Sequence, residues 1–234
     1  TREVPELEQV CEFNNRIWGT KGNTIYASKL GDAENFNVFA GISSDSYSLE
    51  IATEGDFTGC IGYRDHILFF KENLVYKIYG TKPINYSLSN IICPGVQKGS
   101  ELSLVIVGNT LFYKSNTGVM AYGGGTPSLL DDKFSDINFT EAKGGTDGER
   151  YYLNMKKGNE YYFMCYDIQR GLWVREDDTE VDRFFLHNGK NCFYSKDTIF
   201  SCNDESDERL EWFAEFGETT EFSDTKKDYK KFYI

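Results

Sequence analysis

The chain has 234 residues, 40% hydrophobic and 26% charged, with a net charge of −12. That length suits one large all-β domain or two small ones, and the apolar content is too high for general disorder. The charge argues against a nucleic-acid groove, which needs clustered Lys and Arg; the densest basic group is Lys226-Lys227 with Lys230-Lys231.

In chain order, residues 1–9 read as a lead-in, and residues 3–11 form one of two short helix candidates, the other being 205–215. From residue 10 the chain turns periodic. Aromatic arms recur as "RIWGT" at 16, "HILFFK" at 66, "TLFYKS" at 110, "RYYLNM" at 150 and "NCFYSK" at 191, with start-to-start gaps of 50, 44, 40 and 41. Each arm is followed, across a polar turn, by a second: "TIYAS" at 24, "LVYKIYG" at 74, "GVMAYGG" at 118, "EYYFMCYD" at 160 and "TIFSC" at 198. The turns "KGN", "KEN", "SNTG", "KKGN" and "KD" supply most of the Gly and Asn that tight hairpins use.

A strand precedes each arm pair ("VCEFN", "TGCIGY", "SLVIVG", "NFTEAKGG", "DRFFLHNG"). A fourth candidate follows in most units ("YSLEI", "GLWVRED", "LEWFAEF"). Four short strands every 40 to 50 residues is the blade pattern of a β-propeller. The expected fold is therefore an all-β propeller over residues 10–217, with five blades, or six if the tail adds strands. Within the first blade, Ile17 and Trp18 should point to opposite faces. Residues 218–234, ending "KKDYKKFYI", read as the start of a further β element, so a fragment of a longer protein is expected. A two-sheet sandwich is the structural rival.

No run of 18 apolar residues occurs, so no membrane-spanning helix is expected, and the opening "TREVPELEQV" has no leader pattern. Cys11, Cys60, Cys93, Cys165, Cys192 and Cys202 form no C-x-x-C. Several sit in apolar stretches, which suits reduced, buried thiols made in a cytoplasm.

The segments "NNRIWGTKGNTIYASKLGDAENF", "FTGCIGYRDHILFFKENLVYKIYG", "GVQKGSELSLVIVGNTLFYKSNTGVMAYGG" and "GLWVRED" together resemble a family of structural proteins of tailed bacteriophages and prophages of Gram-positive bacteria. The Asn-Arg-Ile-Trp and Ser-Lys-Leu-Gly-Asp pieces are similar, more faintly, to head-completion and DNA-stabilisation proteins of short-tailed phages. The resemblance spans roughly residues 10–217. It implies a virion component at the head–tail or tail region, made in the bacterial cytoplasm, whose partners are other virion proteins. A homo-oligomeric ring is the expected state of the full-length protein. It brings no catalytic motif.

The residues themselves suggest no reaction centre. His66 and His187 flank apolar strands, where a strand-end histidine is the ordinary reading; no G-x-S-x-G is present, and no partners at metal-ligand spacing are readable. The acidic run 203–211 (Asp204, Glu205, Asp207, Glu208) could hold a hard cation, but it lacks the glycine turn and ligand spacing of an EF-hand loop and reads as a solvated loop. Asp131-Asp132 and Glu176-Asp177-Asp178 fall in loops, not as an opposed glycosidase pair. "YGGGTP" at 122 and "GGTDGER" at 144 read as turns, without the Gly-Lys-Ser/Thr of a P-loop. Trp18, Trp173 and Trp212 read as core rather than as a sugar-stacking platform. The expectation is a non-enzymatic platform for protein–protein contacts, with no catalytic, cofactor or metal site. A carbohydrate-binding or glycan-cleaving propeller for host recognition is the alternative, and a cellular scaffold propeller a third.

Overall fold

The computed structural model describes residues 4–135 and 137–202. All its regular elements are short strands and two 3-10 turns. β1 (Gln9–Phe13), β2 (Arg16–Lys21), β3 (Thr24–Ala27) and β4 (Tyr47–Glu50) form sheet 1 in that order. β5 (Gly59–Tyr63), β6 (His66–Lys71), β7 (Leu74–Tyr79) and β8 (Ser87–Ile92) form sheet 2. β9 (Val105–Val107), β10 (Thr110–Ser115), β11 (Gly118–Tyr122) and β12 (Ser128–Asp131) form sheet 3. β13 (Thr140–Thr146), β14 (Arg150–Lys157), β15 (Glu160–Asp167) and β16 (Leu172–Asp177) form sheet 4. β17 (Arg183–His187), β18 (Lys190–Ser195) and β19 (Thr198–Ser201) form sheet 5, three-stranded among the described residues.

Every pairing is antiparallel and sequential, and the five hairpins read from the sequence are β2–β3, β6–β7, β10–β11, β14–β15 and β18–β19. Asn14, Asn15, Arg64, Asn188, Lys196 and Asp197 adopt positive φ in the turns between strands, the left-handed geometry that tight connections need.

Three expectations fail. Asp131 and the Glu176-Asp177 pair, expected in loops, end the closing strands β12 and β16, because pairing with β11 and β15 carries the ladder to them. Residues 4–8 form no helix, and β1 begins at Gln9; an apolar spacing this short has no helix nucleus of its own, and pairing with β2 supplies the hydrogen bonds instead. Gly144 and Gly145 lie inside β13 rather than in a turn. A Cβ at Gly144 would stand 2.8 Å from Val105 Cγ2, and one at Gly145 would stand 2.6 Å from Phe184 Cγ. The paired glycines let β13 lie close to sheet 3 on one face and to sheet 5 on the other.

The sheets stack face to face, joined by four cores. Trp18, Ile25, Ile67 and Phe69 fill the seam between sheets 1 and 2. Tyr63, Phe70, Leu111 and Tyr113 fill the next. Phe112, Val119, Tyr151 and Leu153 join sheets 3 and 4, and Tyr152, Phe163, Val181 and Phe193 join sheets 4 and 5. Burial follows from this order. Every residue of β6, "HILFFK", is buried, because both faces of sheet 2 are covered. β1 and β4 instead alternate half-buried with exposed, because among the described residues sheet 1 has a neighbour on one face only. Trp18 accordingly points into the core, while Ile17 lies on the opposite, half-buried face. Among the described residues no core joins sheet 5 back to sheet 1.

Buried and half-buried polar side chains pin the connections at each seam. Lys71 Nζ donates to Asn23 Oδ1 (2.6 Å) and to the carbonyl of Thr53 (2.8 Å). Lys114 Nζ donates to Gln97 Oε1 and to the Ser115 carbonyl (2.7 Å). Tyr151 donates to the Ser103 carbonyl (2.9 Å). Lys143 Nζ donates to the Val181 carbonyl (2.7 Å), and Asn154 bonds both the Thr179 carbonyl (2.8 Å) and the Val181 N–H (3.2 Å). Each satisfies carbonyls that would otherwise be orphaned between sheets.

Candidate functional site

The connection from β3 to β4, residues 28–46, is long for a link between neighbouring strands. Loops of this length without regular structure are usually functional or disordered. This one is braced from within. Arg16, 2% exposed at the start of β2, spends its guanidinium on the loop's own backbone. Nη1 donates to the carbonyls of Ser28 (2.6 Å) and Asp45, and Nη2 to that of Ser43 (3.0 Å). The buried Asp45 carboxylate accepts from the N–H groups of Gly41 (2.6 Å) and Ile42 (3.1 Å). Ser46 Oγ donates to the Asn35 carbonyl (3.0 Å), and the Ser46 N–H to Val38 (2.9 Å).

The brace holds an apolar tip in water. Phe39 is 63% exposed and Ile42 56%. A shallow cavity of about 450 Å³ lies beside them, lined by Phe39, Gly41, Asp45, Tyr47 and Pro83. Pro83 comes from the connection between β7 and β8, and its neighbour Ile84 is 86% exposed. Two sheets thus contribute to one hollow of mixed polar and apolar lining, with the exposed Phe39 on its wall.

A second cluster lies at the seam between sheets 2 and 3. His66 is buried, with Nδ1 2.9 Å from Asp65 Oδ1 and Nε2 2.8 Å from the Tyr122 hydroxyl. Tyr122 donates to the Gly124 carbonyl (3.0 Å), where Lys77 Nζ also donates (3.1 Å), lying 4.7 Å from the Tyr122 ring centre. The order carboxylate, imidazole, hydroxyl is that of a nucleophile relay. Burial, however, raises the Tyr122 phenol well above its usual range and leaves its oxygen shielded. The cluster ties the 122–127 turn to sheet 2.

The other residues singled out by sequence lie apart. His187 is exposed at the end of β17, with Asn188 at 3.2 Å. Trp18 and Trp173 belong to separate cores, at sheets 1–2 and 3–4, and so do not form one stacking platform. Asp131 caps the N–H of Lys133 (2.9 Å), and Asp177 that of Thr179 (2.8 Å). Glu176 lies on the exposed stretch of β16, and desolvation with the neighbouring Asp177 raises its carboxyl above the usual range. Among the described residues no group of three or more His, Cys, Asp or Glu could hold a metal, and no helix is long and apolar enough to cross a membrane. Residues 203–211, Trp212, the helix candidate 205–215 and the element expected at 218–234 lie outside the described residues. Sequence reasoning missed Arg16 and Asp45. The one signal pointing there was the length of chain between the second arm and its closing strand.

Solved structures share this arrangement. Hsv2 from the yeast Kluyveromyces lactis aligns with a TM-score of 0.55 at 12% identity, over 87% of this chain and 64% of that one. The fold is a β-propeller. A second structure of K. lactis Hsv2 aligns with a TM-score of 0.52 at 14% identity, over 87% of this chain and 63% of that one. Kluyveromyces marxianus Hsv2 aligns with a TM-score of 0.51 at 12% identity, over 85% and 64%. The chain spans under two thirds of the length of these propellers, and at such identities the likeness is one of fold alone. No family model matches the chain, and no curated protein does.

Proposed function

We propose that this propeller is a non-enzymatic binding module that docks a protein partner on the surface formed by loop 28–46 and the Pro83–Ile84 corner. One observation carries the reading: a buried arginine and a buried aspartate are both committed to holding Phe39 and Ile42 out in water. Ordering an exposed apolar tip has no benefit for the fold and lowers the entropy lost on binding. The net charge of −12 favours a partner with a basic surface. The setting we propose is a tailed phage or prophage particle, at the head–tail or tail region, with other virion proteins as partners. That part rests on the resemblance of residues 10–217 to phage structural proteins.

The test is co-purification with the neighbouring virion gene products, comparing wild type with the Phe39→Asp/Ile42→Asp double variant. Binding should fall at least tenfold in the variant while its melting temperature stays close to wild type, since both side chains are exposed. Equal binding by the variant would reject the surface. A hydrolase activity lost on replacing one carboxylate would reject the non-enzymatic reading.

A further inference from the structure

β1 and β5 run side by side at the seam between sheets 1 and 2. A Cβ at Gly62 of β5 would stand 2.7 Å from Phe13 Cδ2 and 3.2 Å from the carbonyl oxygen of Glu12, both of β1. Two residues back along each strand stand Cys11 and Cys60. Side chains alternate along a strand, so Cys11 shares the face of Phe13 and Cys60 that of Gly62. The two cysteines therefore meet across the seam, inside the core of Trp18 and Phe69. Cys60 belongs to that core and Cys11 packs against it, and both thiols are free in the structure.

We propose that Cys11 and Cys60 form an oxidisable pair, a modification site where a disulfide closes the seam between sheets 1 and 2. The oxidant is a small-molecule disulfide such as oxidised glutathione. Cys11, the more accessible of the two, attacks as the thiolate, forming a mixed disulfide and releasing one reduced glutathione. Cys60 then loses its proton and attacks Cys11 Sγ; the bond to glutathione breaks, and a second reduced glutathione leaves. The protein loses two protons and two electrons, and the small disulfide takes them up as two thiols. The neighbouring Cys11 thiol and burial hold the Cys60 proton tightly, which slows the second step.

The bond would matter because, among the described residues, sheet 1 is covered on one face only and so is held chiefly by this seam. A link between residues 11 and 60 closes a long loop in the unfolded chain, which favours the folded state.

The experiment uses the full chain with Cys93, Cys165, Cys192 and Cys202 replaced by Ser, incubated with oxidised or reduced glutathione. Peptide mapping without reductant should find the peptide containing Cys11 joined to that containing Cys60. The melting temperature should rise by about 5 °C or more on oxidation and fall back on reduction. Cys11→Ser and, separately, Cys60→Ala in the same background should remove the oxidative rise while melting normally in reductant. The wild-type chain should give the same linked peptide, which keeps the test valid if the quadruple variant folds poorly. Recovery of Cys11 and Cys60 as separate glutathione adducts or free thiols, or a linkage of either to another cysteine, would overturn the proposal.

Discussion

Replacing Arg16 tests whether its guanidinium stabilises the protein or is a tolerated burial cost. The side chain makes three charge-assisted hydrogen bonds to loop carbonyls, each worth about 1.5–3 kcal/mol. Against them stands desolvation of a buried cation, at several kcal/mol. The two nearly cancel, so the deciding quantity is what the mutation leaves behind. In Arg16→Met the stem packing is kept and three carbonyls lose their donors. If the loop stays in place, each orphan costs about 1–3 kcal/mol; if it swings into water, the carbonyls are rehydrated but the Asp45 and Ser46 bonds go with it. Three orphans would cost about 3–9 kcal/mol and the released loop less, so a net loss of at least about 2 kcal/mol is expected. Arg16→Ala adds the lost methylene packing, about 1–2 kcal/mol more. Urea titration with an unchanged slope should report the loss, and limited proteolysis should show new cleavage within 28–46. Arg16→Met within about 0.5 kcal/mol of wild type, with no new cleavage, would refute the reasoning, because the desolvation term would then outweigh the bracing.

Gly145→Val places a side chain where Phe184 already stands 2.6 Å from the Cβ position; thermal melting should show a loss of about 2 kcal/mol or more, as overpacked seams do. Lys114→Met leaves Gln97 Oε1 and the Ser115 carbonyl without their donor in a fully buried site, with an expected cost of about 2–4 kcal/mol by urea unfolding. Desolvation and the neighbouring Asp177 carboxylate raise the Glu176 carboxyl above its usual range, although Glu176 lies on an exposed stretch of β16. The folded state therefore holds that proton more tightly than the unfolded one. Its contribution is fully present below the ordinary carboxyl value and is lost as pH rises through the folded value. Glu176→Gln should accordingly raise the melting temperature at pH 7 and leave it unchanged near pH 4; the opposite order would show that the carboxylate is favourably paired.

The repeat was legible because hairpins are local: each arm, its turn and its partner lie within about fifteen residues, and short-range chemistry fixes them. The order of burial was also written in the chain. "HILFFK" carries four apolar residues in a row because sheet 2 is covered twice, and β1 alternates because, among the described residues, sheet 1 is covered once. What escaped was contact between distant residues. Tyr122 meets His66 across 56 positions and Arg16 reaches Asp45 across 29, and neither pair leaves a local signature. The glycines at 144 and 145 were misplaced for a related reason. Alone they read as a turn, and only the presence of Val105 and Phe184 explains why a strand needs them.

Among the described residues, five propeller sheets joined by four cores form an open array with nearest-neighbour coupling, in which each sheet is stabilised by those it touches. Such an array melts from its ends. The interior sheets 2 to 4 lose two interfaces when they unfold, and the end sheets lose one. Amide exchange should therefore run in steps, with sheets 1 and 5 exchanging before sheet 3. A lesion at the seam of sheets 2 and 3 should divide the chain into two cooperative units that melt at different temperatures. Whatever covers sheet 1 or sheet 5 would then act as a capping unit, raising the stability of the array from one end inward without touching its centre.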